Sequence, residues 1–485
     1  MLKTYISDII THNEITKWNK SDKILISSQT GTGKTEFIKN NLYQYCINTD
    51  SKILLLSNRT LLKNQNMVEL EGKLDVVTTV NYQELETKIL YGSSLSKIFE
   101  GYQYIVYDEA HYLFSDSQFN RNTDILLEPL SDKPELDYPN IIFIFITATP
   151  DALLSYYNNF DFVYNLPVDY SYISKIYFYN KYDTLKEIIY QIPYNDKAVF
   201  FSSNAFDAYE LSVNMTNAEF ICSESHRDLS KRSNKQVIKD IVNNSKFDCS
   251  LLCTTKVLDN GVNLIDDSVK HIIIDMLDPI SFIQCLGRKR INNNEKINLY
   301  IHNYHGGFIY TQLNSLLAKM NLVSELESIG IDNFATKYKK KDYDNIIQND
   351  FSINVAKYIF YNKYIHYLKI MLSDVGKIGY KKTICSLLNY LVTNTSDAEF
   401  IYEKKNLIQE LELILNTRLY KDEKEKFKIM FFNNLFSPKK TNYRKRGIRS
   451  INAILEEDAI PFRVISSVDT KSINRNQRYW MIIAL

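Results

Sequence analysis

The sequence predicts an α/β chain in which two tandem parallel-sheet domains are followed by a mainly helical C-terminal region ending in a small α/β unit. Three observations predict it. Strand-like apolar runs alternate with helical stretches as far as Asn165 and restart at Ile176-Tyr177-Phe178, a pattern that builds parallel sheets covered on both faces. Beyond His305-Gly306-Gly307 the strands stop, and Tyr358 to Leu372, Thr383 to Leu391 and Glu403 to Leu415 carry apolar residues at helical spacing. The last fifty or so residues return to mixed patterning, with a short helix at Ile448 to Leu455 and two strands, Phe462 to Ile465 and Tyr479 to Ile483. The expected divisions are therefore 1–166, 167–305, 306–436 and 437–485, the first set by Leu166-Pro167.

In the first domain, the apolar run Ile24-Leu25-Ile26 leads into Ser28-Gln29-Thr30-Gly31-Thr32-Gly33-Lys34-Thr35 and then a helix at Glu36-Phe37-Ile38. This is a phosphate-binding loop. Gly31 and Gly33 let several amides face one anion at a helix N-terminus, with Ser28, Thr30 and Thr32 completing the cradle. Lys34 is expected on the β- and γ-phosphates of ATP and Thr35 on Mg²⁺. Ser28 stands where the first glycine is usual, and its small side chain makes that tolerable. Downstream, Tyr104-Ile105-Val106-Tyr107 ends in Asp108-Glu109-Ala110-His111. Adjacent acids at a strand tip point to opposite sides, so Asp108 can hold Mg²⁺ while Glu109 orients and deprotonates water.

With these two motifs in place the chain resembles the superfamily 2 helicases and translocases of the DEAH/DExH type, and further segments follow in the family order over residues 24 to 291. Ser57-Asn58-Arg59-Thr60-Leu61-Leu62 looks like motif Ia and Val76-Val77-Thr78-Thr79-Val80-Asn81-Tyr82 like motif Ib; the resemblance implies that Arg59 and Thr79 bind a nucleic-acid backbone. Thr147-Ala148-Thr149-Pro150 resembles motif III. Val199-Phe200-Phe201-Ser202-Ser203-Asn204 is similar to motif IV, implying a backbone contact from Ser202. Leu251 to Asn263 resembles motif V, with Thr255 on the backbone and Gly261 in the nucleotide-side turn. Gln284-Cys285-Leu286-Gly287-Arg288-Lys289-Arg290 resembles motif VI, which would bring arginine to the γ-phosphate. Taken singly, motifs Ia, Ib and IV read equally well as plain strand and turn. The family implies two RecA-like domains, and it leaves the last third of the chain uncovered.

Three departures qualify the carry-over. The second family arginine falls three residues after the first, where this chain has Ile291; Arg290 either fills the role from a shifted backbone or leaves Arg288 to act alone. A similar Gly-Arg-x-Arg form occurs in herpesvirus-type origin-binding helicases. Asn263 and Asn260 replace the common motif V aspartate and arginine. Finally, the stretch from Asn263 to Gln284 is too short for the long β-hairpin of the DEAH RNA helicases. DNA is therefore favoured over RNA.

Composition bounds the partners. The 485 residues carry 58 Lys+Arg against 57 Asp+Glu, a formal net charge of +1, so a nucleic-acid track must come from local arrangement. One such place is Ser437 to Leu455, where Lys439, Lys440, Arg444, Lys445, Arg446 and Arg449 occur without an acid. A basic arm leading into a helix and a hairpin reads as a winged-helix-like nucleic-acid module, or as a linker before a packing unit that docks a protein partner. The run Lys337-Tyr338-Lys339-Lys340-Lys341 reads as a solvated helix end or a phosphate contact. Six cysteines without a CxxC pair read as core residues of a reducing, cytoplasmic protein. No apolar run is long enough to span a membrane, and the N-terminus has no signal-like core.

The expected function is an ATP-dependent nucleic-acid helicase acting on DNA rather than RNA, with ATP and Mg²⁺ as cofactors. Two other readings stay open: a duplex translocase that does not separate strands, and a replication-initiation or recruitment protein switched by ATP.

Overall fold

The computed structural model describes residues 4–58, 72–131, 138–224, 226–256, 263–292, 295–340, 343, 345–373, 379–433, 447–472 and 474–485. They form two compact units, residues 1–176 with 193–394 and residues 177–192 with 395–485.

The first unit holds both RecA-like parallel sheets. Six strands, β1 (Lys23–Ser27), β2 (Ile53–Ser57), β3 (Val77–Asn81), β4 (Tyr104–Asp108), β5 (Ile142–Thr147) and β6 (Phe162–Asn165), lie in the order β3-β2-β4-β5-β1-β6. All neighbours are parallel. Every residue of β2, β4 and β5 is buried, which is why they read as continuous apolar runs rather than alternating ones. The N-terminal segment packs on the same core through Ile6, Ile10, Ile15 and Trp18. After the strand β7 (Ile173–Tyr179), the second sheet contains β8 (Lys197–Ser202), β9 (Ala218–Ile221), β10 (Leu251–Thr254), β11 (Val269–Asp275) and β12 (Ile297–His302), with the parallel order β12-β11-β8-β10-β9. The strand tips that start helices do so with side-chain caps: Asn81 accepts from Glu84 N at 2.6 Å, and Asp278, followed by Pro279, accepts from Ile280 N and Ser281 N.

A helical strap grows directly out of the second sheet. The helix Gly306–Ile329 begins just after β12 with His305 as its cap, and the helix Val355–Ser373 packs along it. That second helix also packs on Tyr112–Ser115 and Asp151–Tyr156, the short helices following β4 and β5 of the first sheet. Its contacts are specific. Asn354 Nδ2 donates to Arg121 O at 2.9 Å, Gln348 Nε2 to Asp124 Oδ2 at 2.9 Å, and Tyr367 OH to Asp151 Oδ2 at 3.2 Å. The next helix, Gly379–Leu387, turns back to the second sheet, where buried Tyr380 donates to Met276 O at 2.8 Å. Residues 306–394 thus fasten both sheet domains.

The second unit is helix-rich and closes with a hairpin. The order is Ala398–Leu413, a bridging segment at Leu415 and Leu419, Lys421–Asn433, Ile448–Glu457, then the antiparallel strands β14 (Phe462–Val468) and β15 (Arg478–Ala484), counting the short β13 (Ser396–Asp397) beside Tyr177 and Phe178. Leu415 and Leu419 form isolated bridges to Ile482 and Trp480 of the two-stranded hairpin. This is a winged-helix-like arrangement. Its core joins Leu407, Leu411 and Phe427 to Ile451, Val464 and Ile482. The helix Ala398–Leu413, which sequence groups with the accessory helices, therefore shares a core with the C-terminal hairpin, because helical spacing tells that a face is buried but not by what. No helix among the described residues is long and apolar enough to cross a membrane, and all six cysteines are buried.

Candidate nucleotide site

The phosphate loop is shaped by its ends. Ser28 N donates to Thr147 O at 2.9 Å, tying the loop's start to β5. Gly31 and Gly33 both have φ +83°, backbone that residues with a Cβ resist. Thr32 Oγ1 donates to Gln29 O at 2.8 Å, while its carbonyl accepts from Ile6 N at 3.0 Å, so the N-terminal segment braces the loop. From Lys34 the helix runs, through a π-type turn at Phe37–Leu42, to Asn48. Its first amides face the loop, where anions are favoured.

Lys34 is buried, and its Nζ donates to Glu109 Oε1 at 3.0 Å. Glu109 turns there from a left-handed backbone, φ +52°, which is uncommon for a residue other than glycine and marks a functional tip. Its Oε2 lies 3.5 Å from His111 Nδ1, and that same ring nitrogen lies 3.4 Å from Thr147 Oγ1. Thr147 Oγ1 in turn accepts from Thr149 N at 3.1 Å. One chain of polar contacts therefore joins the phosphate loop, the strand-tip acids and the Thr147-Ala148-Thr149 segment. Asp108 sits beside it, its Oδ1 accepting from Glu109 N at 3.0 Å and its carbonyl from Tyr82 OH at 2.8 Å. The Tyr82 ring stacks on Tyr112, centroids 4.6 Å apart.

Charge separates the two acids. Burial and the neighbouring Glu109 hold the Asp108 carboxyl above its ordinary range, and Lys34 and Arg288 offset this only in part. Burial works in the same direction on Glu109, but Lys34, His111 and Arg288 overcome it and hold that carboxyl below its ordinary range. Burial drops the His111 imidazole to about 4, keeping it neutral near pH 7.

The second sheet domain supplies Arg288. It is buried at the end of the helix Pro279–Gly287, its Nη2 donating to Gln284 Oε1 at 3.3 Å, and its charge lowers both Asp108 and Glu109. The preceding Gly287 lies against the phosphate loop: a Cβ there would come to 2.4 Å from Thr30 Oγ1. Arg290 has other surroundings. Its Nε donates to Asn263 Oδ1 at 2.8 Å, and its amide donates to Leu264 O at 2.9 Å, joining the segments before and after the helix.

The remaining expected residues scatter. Thr35 is half-buried in the first helical turn. Thr79 is buried, and Thr255 is half-buried just beyond β10. Ser202 is fully buried and its Oγ accepts from Asn204 N at 3.1 Å, so the hydroxyl exposed at that strand tip belongs to Ser203; one step along a strand exchanges the two faces. Arg449 is exposed on Ile448–Glu457. Arg59, Gly261, Lys439, Lys440, Arg444, Lys445 and Arg446 lie outside the described residues. Sequence reasoning missed Tyr82, Gly287 and the Thr147 hydroxyl as parts of this site. Only their position inside or beside the recognised motifs pointed to them.

Residues 10–155 match the family model described as DEAD/DEAH box helicase, and residues 180–292 match the helicase conserved C-terminal domain. Among solved structures the chain is similar to S. cerevisiae Dbp5 bound to RNA and ADP BeF3, at 14% identity and TM-score 0.43 over 58% of this chain and 80% of that one. It is also similar to the Mycobacterium smegmatis helicase Lhr bound to ssDNA and AMP-PNP, at 12% identity and TM-score 0.44 over 63% of this chain and 46% of that one. For the Escherichia coli DEAH/RHA helicase HrpB the values are 12% identity and TM-score 0.44 over 84% of this chain and 56% of that one. No curated protein sequence matches the chain. The two family matches together cover more than half of the chain and meet at the cleft where Lys34, Glu109 and Arg288 gather, so the chain belongs to the superfamily 2 helicases of DEAD/DEAH type, nucleic-acid-stimulated ATPases built on two RecA-like domains.

Proposed function

We propose that the protein is an ATP-driven DNA helicase in which Glu109 is the catalytic base and Arg288 the arginine that meets the transferring phosphoryl group. One observation carries this: a base and a cation from two different domains converge on a single phosphate loop whose Lys34 is buried. Triphosphate binding would exchange the Lys34–Glu109 pair for contacts from Lys34 to the phosphates. Glu109 is then free to orient water and accept its proton. Arg288 adds positive charge where negative charge develops, which only a closed cleft permits. The donor set fits Mg²⁺: Asp108 and Thr35 are oxygen ligands of the hard type that ion takes, and burial beside Glu109 holds the Asp108 carboxyl up, which a bound cation would offset. The ion would neutralise phosphate charge. Arg290, pinned at Asn263, is read as a brace between the flanking segments more than as a second finger.

DNA is favoured because β11 passes directly into the helix Pro279–Gly287 without an inserted hairpin, and because Gly287-Arg288-Lys289-Arg290 resembles the origin-binding form. ATP hydrolysis measured in parallel with single-stranded DNA, duplex DNA and RNA tests this reading. Stimulation by DNA well above that by RNA, together with displacement of one strand from a partial duplex, supports it. Stimulation by RNA alone overturns the choice of DNA, and displacement of a triplex strand without duplex separation makes the protein a translocase.

A further inference from the structure

The hairpin of the second unit carries a loop whose charge and rigidity the helicase site does not use. Between β14 and β15 the described residues 469–472 and 474–478 are tied into a tight wing: Asp469 N donates to Gln477 O at 2.9 Å, Asn476 N to Asp469 O at 2.7 Å, and Arg475 N to Ser472 O at 3.1 Å. Asn476 takes a left-handed backbone, φ +72°, to close the turn. The organiser is Asp469, a buried carboxylate in an otherwise exposed loop. Its Oδ1 accepts from Lys471 N at 2.9 Å and Ser472 N at 3.0 Å; its Oδ2 accepts from the Ser472 hydroxyl and from Tyr420 OH at 2.5 Å, and Arg418 Nη1 pairs with it at 3.2 Å. The bonds from Ser472, Tyr420 and the two amides hold this carboxyl far below its ordinary range. It stays an anion, and every lone pair it offers is spent inside the module.

The consequence lies on the outside. From Ala459 to Leu485 the cations are Arg463, Lys471, Arg475 and Arg478, and the only acid is this internally satisfied Asp469. All four cations are exposed, and none forms an ion pair among the described residues. By contrast the helix Ile448–Glu457, the one nearest the hairpin in sequence, exposes Glu456 and Glu457 at its C-terminal end. An anionic polymer would therefore be attracted to the wing and repelled by that end of the helix.

We propose that this wing, with Lys471, Arg475 and Arg478 as its contacts, grips the phosphate backbone of nucleic acid and is a second, sequence-independent binding site in addition to that of the helicase core. The proposal rests on the reading of the protein as a nucleic-acid motor. Three unpaired cations on a prefolded loop bind without first losing loop entropy, and each phosphate contact releases condensed counterions. The side chains of Lys471, Arg475 and Arg478 make none of the bonds that fold the wing, so their replacement leaves it intact.

The test uses the full chain and measures binding to a labelled single-stranded and a labelled duplex DNA from low to moderate salt. The K471Q/R475Q/R478Q variant is expected to lose affinity by about 10-fold or more and to flatten the log-affinity against log-salt slope by roughly two to three units, at about 0.7–0.9 per contact. Asp469→Ala is the sharper variant. It removes a negative charge, so net charge alone predicts tighter binding; a wing that must be prefolded predicts weaker binding, with thermal melting reporting whether the unit stays folded. Wild-type affinity and slope in the triple variant overturn the proposal, as does tighter binding by a folded Asp469→Ala. ATPase stimulation at saturating DNA separates the two claims: if wild type is stimulated and the triple variant binds normally, only the wing fails, whereas no stimulation of wild type means that the motor reading fails. Equal loss of binding to anionic vesicles and to DNA marks the wing as a general anion surface and also overturns the assignment.

Discussion

The nucleotide cleft and the C-terminal wing handle charge in opposite ways. In the cleft Lys34, Asp108, Glu109 and Arg288 are buried, and each is set against another charge. In the wing the one acid is buried and satisfied while the cations are exposed and form no ion pair among the described residues. The difference teaches what each charge is for. Chemistry on a phosphoryl group needs fixed charges in a medium where they are felt strongly, whereas holding a polymer that must also slide needs charges that salt can loosen. Salt should therefore weaken nucleic-acid binding steeply and leave basal ATP turnover nearly unchanged, since buried pairs are screened least.

Breaking the cleft should give the largest effects. Lys34→Ala is expected to abolish nucleotide binding in a fluorescent-nucleotide titration, because the buried ammonium is lost and Glu109 is left without its cation. Glu109→Gln is expected to bind nucleotide and to lose hydrolysis by about 10³-fold or more, since it removes the base and keeps the shape. Equal nucleotide affinity in wild type and Lys34→Ala would show that the loop is not the phosphate site.

A smaller effect is expected where the two domains touch. The Cβ of Gly287→Ala meets Thr30 Oγ1 at 2.4 Å, so the Thr30 side chain or the Arg288 helix must shift, and the ATP concentration for half-maximal rate should rise by about 10-fold. An unchanged value would mean that this approach is not made during turnover.

The strap should show the smallest effect, and in stability rather than turnover. Asn354 is fully buried, accepts from Lys357 N at 2.8 Å and donates to Arg121 O. Asn354→Ala orphans those groups and should cost about 1–3 kcal/mol, read as a lower thermal midpoint. Wild-type melting would mean that the strap contributes little to holding the first domain.

The same contrast explains what could be read from the residues alone. The cleft was legible because each of its parts is local: a strand, two glycines and Lys34-Thr35, then a strand ending in Asp108-Glu109. The strap was not, since Asn354 and Tyr367 bind Arg121 and Asp151, partners more than two hundred positions away that no motif announces. Ser202 is buried while Ser203 is exposed, a difference the sequence did not carry, because a strand tip alternates faces and the sequence does not say which face the sheet covers. The C-terminal hairpin was legible from its two apolar runs, but the reach of its core back to Leu407 and Leu411 was not, for an apolar helical face does not name its partner. The wing stayed hidden for a related reason: Asp469 reads as an ordinary loop acid until its bonds to Tyr420 and Arg418 are seen.

The central claim is that one catalytic site is assembled from two domains, and Arg288→Ala tests it most directly. Turnover at saturating ATP and DNA and nucleotide affinity are measured on the same preparation. The account predicts affinity within a few-fold of wild type and turnover lower by about 10³-fold, because the arginine acts on charge that develops in the transition state. Near-normal turnover in a folded Arg288→Ala protein would contradict it.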